Sequence, residues 1–339
     1  MAKRQISVVE GDEAGIRLDR WFKRHFPDLT HGQLQKLLRT GQIRLNGKRA
    51  ESATRLEAGQ EIRVPPQLAA DEEDGGRKET FFQTRQTSRD ANDIKKMILY
   101  EDSDVLVLNK PAGLAVQGGT GLRTSLDQML AALEDEKQGK PRLVHRLDRD
   151  TSGVLLVART VYAAEKLAQA FRARATQKIY WGVTVGVPDS ACGEIDAPLA
   201  KRGAIMVVPS HPAEDDRSVK TALTLYQTVE RVPNNVAFVA MWPKTGRTHQ
   251  LRAHMAYMGT PLLGDRLYGK PLPDALLSAE LGEGLHLHAR RLIIPHPRKG
   301  VIDVTAPLSP VLRKTWRWFG FDEKADVDFS SCDAGKFSR

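Results

Sequence analysis

Between residues 95 and 315 short apolar runs recur along the chain: DVLVLNK, RLVHRLD, GVLLVAR, KIYWGVTVGV, TALTLYQTVE, VAFVAMW, LHLHARRLII and VIDVTAP. Each has the length and the Val, Leu and aromatic content of a strand. Helical segments separate only some of them. VYAAEKLAQAFRARA is alanine-rich and amphipathic, and THQLRAHMAYMG places Leu251, Met255 and Met258 on one face before Gly259. Regular strand–helix alternation would build a parallel sheet. This irregular mixture predicts an α+β fold with a mixed, largely antiparallel sheet.

The first 65 residues follow a different pattern. Leu18, Trp21, Phe22 and Phe26 recur at helical spacing. A second helical segment carries Leu34, Leu37 and Leu38, with Thr30 as a candidate N-cap and Gly41 as a stop. QIRLNGKRA then reads as a strand and an Asn46–Gly47 turn, and EIRV as a further strand closed by prolines. The sequence thus predicts a small helix–helix–sheet domain over 10–65, a linker over 66–92, a large domain over 93–318 and a flexible tail over 319–339. Phe81 and Phe82, inside the linker, could dock on a neighbouring domain.

Charge is unevenly spread. The 339 residues contain 51 Lys+Arg and 42 Asp+Glu, a formal net charge of +9. Residues 1–65 hold 13 Lys+Arg and 8 Asp+Glu, a difference of +5, so more than half of the excess lies in a fifth of the chain. Arg17, Arg20, Lys23 and Arg24 fall on the polar side of the first helix; Lys36, Arg39, Arg44, Lys48 and Arg49 flank the second helix and the turn. Such runs are often plain solvated faces. Their concentration beside a tight turn favours a phosphate-binding surface. The two cysteines, Cys192 and Cys332, lack metal-ligand or disulfide spacing. No apolar run reaches the roughly 18–20 residues that span a bilayer. A cytoplasmic, monomeric protein is expected, without a membrane or an obligatory protein partner.

The densest chemistry lies in HRLDRDTSG, residues 145–153, between two apolar runs. Asp150, Thr151, Ser152 and Gly153 have turn chemistry. Asp148 follows the apolar Leu147, and a carboxylate drawn towards a core either pins the turn or does work. A hundred residues on, KTGRTHQLRAH sets Arg247 at the mouth of a helix that Thr248 could cap, a ready place for an anion. Tyr180 and Lys178 share the strand QKIYWG. The histidines have no convincing ligand spacing, so no metal site is expected.

In this order, LYEDSDVLVLNKPAGLAV, LVHRLDRDTSGVLLVAR, QKIYWG and KTGRTHQLRAHMAYMGTPLLGDRLYG resemble the RluA branch of the pseudouridine synthases that modify ribosomal RNA. The layout is most similar to the RluC type acting on 23S ribosomal RNA of the large subunit. The N-terminal unit resembles a small RNA-binding module named after a small-subunit ribosomal protein. The resemblance spans roughly residues 10–315. It implies isomerisation of uridine in place, with base flipping and no cofactor. It also implies Asp148 as the catalytic carboxylate, Arg247 as its ion-pair partner and Tyr180 stacked on the uracil. Arg146, filling the space vacated by the flipped base, and Lys178 would contact substrate; Lys110 would do so by shaping the pocket mouth, or else serve a structural role. Gln117 stands where relatives often carry histidine. Three other readings are weighed. A kinase is disfavoured because Leu147 interrupts H-R-D and no D-F-G follows. A glycosidase using Asp148 and Asp150 leaves the basic unit unexplained. A non-catalytic RNA-binding assembly factor would not need Asp148.

Overall fold

The computed structural model describes residues 5–26, 29, 31–65, 68, 89–118, 124–135, 138–173, 175–210, 216, 218–233, 235–329 and 336–337. Contacts divide the chain into two compact units, Met1–Arg85 and Gln86–Arg339. Thr30, most of the expected linker, and Phe81 and Phe82 lie outside the described residues.

In the smaller unit β1 (Gln5–Val8) leads to α1 (Leu18–His25), α2 (His31–Arg39), β2 (Arg44–Leu45) and β3 (Glu61–Val64). β3 is central, antiparallel to both other strands. The strand Gln5–Val8 precedes the expected start at residue 10; a four-residue edge strand with Ile6 and Val8 exposed has too little alternation to stand out in sequence. Leu18, Trp21, Phe22, Leu34 and Leu38 bury one common core with Ile43, Ile62 and Val64. The Trp21 indole N–H donates to the buried Glu13 carboxylate at 2.8 Å, so the polar edge of the ring is satisfied inside that core. Asn46 and Gly47 both take positive φ, as a two-residue hairpin turn requires.

The larger unit opens with a helical stretch over 89–97, which takes the last residues of the expected linker into the fold. Its strands are β4 (Ile98–Glu101), β5 (Val105–Lys110), β6 (Arg142–Leu143), β7 (Ser152–Ala158), β8 (Gln177–Val185), β9 (Cys192–Asp196), β10 (Ala200–Arg202), β11 (Ile205–Val207), β12 (Leu223–Val232), β13 (Val236–Pro243), β14 (Leu287–Pro295), β15 (Val301–Thr305) and β16 (Lys336–Phe337). β10 and β11 form a separate hairpin. The others make one sheet in the order β16-β9-β12-β13-β8-β14-β7-β5-β4, with β15 on β14 and β6 on β7. Among the described strand pairs only β14–β7 and β16–β9 are parallel. The fold is the α+β, mixed and largely antiparallel arrangement expected. A one-turn helix, Leu126–Met129, and the longer α3 (Val161–Arg172), α4 (Gln250–Tyr257) and α5 (Pro310–Phe319) pack with it. Among the described residues no helix is long and apolar enough to cross a membrane.

Strand alternation sorts β8 onto two faces. Ile179, Trp181, Val183 and Val185 pack with Phe238 and Trp316 of α5. Tyr180 turns to the other face, towards Met241, Leu251, Met255 and Leu287, where α4 lies. The expected flexible tail is corrected over its first half. Phe321 and Phe329 are buried in the Trp316 cluster, and aromatic burial of this kind anchors a segment whose polar neighbours read as a tail.

Candidate active site

The sheet divides where the HRLD segment sits. β14 pairs with β7 only at Ser152 and Gly153, and β6 pairs with it at Val157 and Ala158. In the interval His145 closes the edge: its Nε2 accepts the Leu156 N–H at 2.8 Å, and its ring packs on Phe171 at 4.9 Å. Burial, reinforced by the nearby Lys178 charge, pushes this imidazole down to about 3, so it stays neutral and keeps its acceptor. At the β7–β14 crossing Gly153 has φ +109°, and a Cβ there would stand 2.2 Å from the Ala289 carbonyl oxygen. The polar run therefore lies between apolar runs because it fills and ties a split in the sheet.

Lys110, expected to bind substrate, is instead fully buried beneath this loop and does not line the cleft. Its Nζ donates to the carbonyls of Pro111, Leu114 and Arg149 at 2.8–2.9 Å. Burial pushes its ammonium down to about 7, against the pull of the Asp150 and Asp148 carboxylates. Three carbonyls match the three N–H bonds of the charged form. Lys110 is thus a clasp on the turn that carries Asp148. Lys110→Met is expected to lower the unfolding free energy by about 3 kcal/mol, because buried carbonyls lose their donors. Urea denaturation measures it, and an unchanged midpoint would make the clasp dispensable.

A cleft of about 700 Å³ opens above the split. Its walls are residues 144–148, the end of α3, Lys178 and Tyr180 of β8, the end of β13, and the loop 244–249 leading into α4. Asp148 is the one carboxylate among the lining residues; Arg146, Arg172, Lys178, Lys244, Arg247 and Arg252 are the cations. Asp148 is half-buried and makes no side-chain hydrogen bond or ion pair among the described residues. Asp150 instead pairs on the surface with Arg149 at 3.1 Å. The Tyr180 phenol is held strongly protonated, first by burial and then by the negative charge of Asp148. Arg146 is exposed beside Asp148, Lys178 is half-buried without a partner among the described residues, and Lys244 lies 3.2 Å over the Trp242 ring. Gln117 is exposed and is not among the lining residues.

The expected Asp148–Arg247 pair is corrected. No ion pair joins them among the described residues; the exposed Arg247 donates through Nε to the Thr221 carbonyl at 3.0 Å. Its backbone explains the direction. Gln250 accepts the Arg247 N–H at 3.0 Å and the Thr245 hydroxyl at 2.7 Å, while donating to Leu223 and Thr224 of β12. That brace ties the loop to β12. The arginine on which the Asp148 charge bears is Arg252, in the first turns of α4. Arg252 is buried and forms two 2.7 Å bonds with Asp265. Burial raises the Asp265 carboxyl, but Arg252 and the Leu267 and Tyr268 N–H groups outweigh it and hold the carboxyl low. Helix α4 also begins differently from expectation: its N-cap is His249 in a left-handed conformation, without a side-chain cap bond, rather than Thr248. Arg252 and His249 escaped sequence reasoning. The available signal was an arginine set among Leu251, Ala253 and Met255, with an acid at the end of PLLGD.

The other buried histidines serve the scaffold. His254 bonds Thr224 and the Ala197 carbonyl, His286 bonds Thr315, and His288 bonds Ser152. Burial lowers all three to about 4.

Residues 104–257, which carry the HRLD segment, β8 and α4, match the family model described as RNA pseudouridylate synthase. The chain is 34% identical over 313 residues to ribosomal large subunit pseudouridine synthase C of Vibrio vulnificus, covering 92% of this chain and 95% of that protein. The chain belongs to the RNA pseudouridine synthase family. The synthase C of Escherichia coli K12 is 37% identical over 314 residues, covering 91% of this chain and 95% of its own. Among solved structures of the family, human RNA pseudouridylate synthase domain containing 4 superposes with a TM-score of 0.61 at 28% identity. It covers 70% of this chain and 98% of that one. The cleft thus belongs to a pseudouridine synthase fold, an isomerase.

Proposed function

We propose that this synthase converts uridines of 23S ribosomal RNA to pseudouridine, acting in the cytoplasm, with Asp148 as its catalytic carboxylate. The N1–C1′ bond breaks, the uracil turns, and a C5–C1′ bond forms. The proton on C5 leaves and N1 gains one, so atoms balance without an outside reactant. The observation that carries this reading is a solitary carboxylate in a cleft whose other charged lining side chains are lysines and arginines. The cations suit phosphodiesters. The carboxylate suits attack or proton removal at the nucleoside.

Arg252 sets a guanidinium charge close enough to feel the Asp148 carboxylate. Asp265 holds that guanidinium in place. Tyr180, kept protonated, offers the uracil an aromatic face and an O–H donor rather than a base. The target base must leave its stack to enter the cleft. Arg146, exposed and without a partner among the described residues, is the side chain to occupy the vacated space. Lys178 and Arg172 receive phosphates beside the target. The decisive assay uses large-subunit ribosomal RNA labelled with tritium at uracil C5. Formation of the C5–C1′ bond releases that label to water. Sustained release above the protein-free rate supports the reading, whereas tight binding without release favours the assembly-factor alternative.

The basic unit supplies sequence-independent grip. Its charges divide by partner: Arg17 pairs with Asp19 at 2.6 Å, and Arg44 donates to the Gly41 and Gly47 carbonyls at its own turn. Arg20, Lys36, Arg39, Lys48 and Arg49 are exposed and left for RNA. Replacing Lys36, Arg39, Lys48 and Arg49 together by Gln is expected to flatten the slope of log affinity against log salt by about 3. Filter binding across a salt series gives that slope, and an unaltered one would remove this unit from RNA binding.

A further inference from the structure

Two non-glycine residues among those described have positive φ, Asn46 and His249. Asn46 occupies a hairpin turn in which asparagine is at home. His249, at φ 50° and ψ 20°, is the third residue of the Arg247–Gln250 turn, closed by the Gln250 N–H on the Arg247 carbonyl at 3.2 Å, a position that favours glycine or asparagine over histidine. A left-handed conformation is unfavourable for a residue with a Cβ, and glycine avoids that cost. Nor does the imidazole cap α4. What the strained backbone achieves is direction, because it places the ring in the cleft wall, where the charges of Asp148 and Arg146 both bear on it.

The ring is fixed at one end. His249 Nδ1 lies 3.1 Å from the Tyr268 hydroxyl, with the two rings perpendicular. That hydroxyl already accepts the Met206 N–H at 2.7 Å. With one acceptor site taken, the hydroxyl proton is available to His249 Nδ1, the arrangement in which the imidazole proton sits on Nε2. Nε2 makes no hydrogen bond among the described residues. The cleft thus holds an oriented N–H donor with no protein acceptor.

Uracil is suited to such a donor. A half-turn about its N3–C6 axis exchanges N1 with C5, as the isomerisation demands, and in the same motion exchanges O2 with O4. A single fixed donor therefore meets a carbonyl oxygen before and after the turn. Cytosine carries an amino group in place of O4, so it would oppose donor to donor in one of the two orientations. Resting on the reading of this chain as a uridine isomerase, we propose that His249 Nε2–H contacts the target uracil at a carbonyl. It guides the base between its two orientations and excludes cytosine.

The test compares His249→Gly and His249→Gln with wild type, using tritium release from C5-labelled large-subunit RNA, RNA affinity and thermal midpoint. Glycine relieves the backbone and removes the donor. Its midpoint is expected to equal or exceed that of wild type and its RNA affinity to stay within about threefold, while release at saturating RNA falls about 100-fold, the usual scale for loss of one preorganised donor. Glutamine restores an N–H at similar reach and is expected to recover at least about tenfold of that loss. Wild-type release from the glycine variant, or a loss that tracks a lowered midpoint and that glutamine does not rescue, overturns the assignment of His249. Failure of wild type itself to release tritium would instead sink the uridine-isomerase reading, and this inference with it.

Discussion

Asp148→Asn is expected to leave the protein folded and able to hold RNA, yet to reduce pseudouridine formation by about four orders of magnitude or more. The amide matches the carboxylate in shape. Because Asp148 makes no side-chain hydrogen bond or ion pair among the described residues, the exchange breaks no internal contact. The loop keeps its clasp, since Lys110 holds the carbonyls of Pro111, Leu114 and Arg149 rather than the Asp148 side chain. Chemistry is what the exchange removes. Attack on the sugar, attack on the ring and removal of a sugar proton all need an ionised oxygen, and an amide supplies none of them. Tritium release under single-turnover conditions measures the rate. Circular dichroism and RNA titration establish that fold and binding persist. Release within tenfold of wild type would leave Asp148 without its assigned role.

The second large effect lies behind the cleft. Asp265→Ala is expected to destabilise the larger unit by about 3–5 kcal/mol, because it strands the buried Arg252 guanidinium without its counter-ion. Exposed pairs such as Lys96–Asp93 contribute far less, since solvent screens them. The pH dependence has a definite sign. The Asp265 carboxyl is held below its ordinary value in the folded protein, so the folded state favours its ionised form. Its stabilisation is complete above the ordinary carboxylate range and fades as pH falls through the lowered folded value. Thermal midpoints of wild type and Asp265→Asn should therefore differ most near neutrality and converge in acid. A difference that grows in acid would contradict the assignment. Activity should fall in either variant even where the fold survives, as Arg252 loses the fork that holds it near Asp148.

Much of this was legible in the sequence because it follows from short-range rules. Apolar runs of strand length gave the mixed sheet, and the Asn46–Gly47 pair gave its hairpin. The turn chemistry of Asp150 to Gly153 was also plain. Asp148 and Tyr180 were brought to one site by the family resemblance rather than by local rules, and both line the cleft. The misassignments were long-range. Lys110 read as a substrate contact at the pocket mouth or a structural residue, and nothing within a few residues discloses its three buried carbonyls, one of them thirty-nine residues away. Arg247 was paired with Asp148 through the family resemblance, its place at a helix mouth indicating only an anion site. Its direction is set by Gln250 and by Thr221, a contact made only once β12 and the loop have packed. Arg252 sat unnoticed inside an apolar helix pattern whose acidic counterpart lies thirteen residues on. The aromatic anchors Phe321 and Phe329 were masked by their polar neighbours.

The central claim, that this chain makes pseudouridine in large-subunit ribosomal RNA through Asp148, is tested most directly by mapping. Pseudouridine would be located across ribosomal RNA from cells lacking the protein, from cells rescued with wild type and from cells rescued with Asp148→Asn. Particular large-subunit sites are expected to vanish on deletion, return with wild type and stay absent with the variant. An unchanged pseudouridine map, or full restoration by Asp148→Asn, would contradict the account.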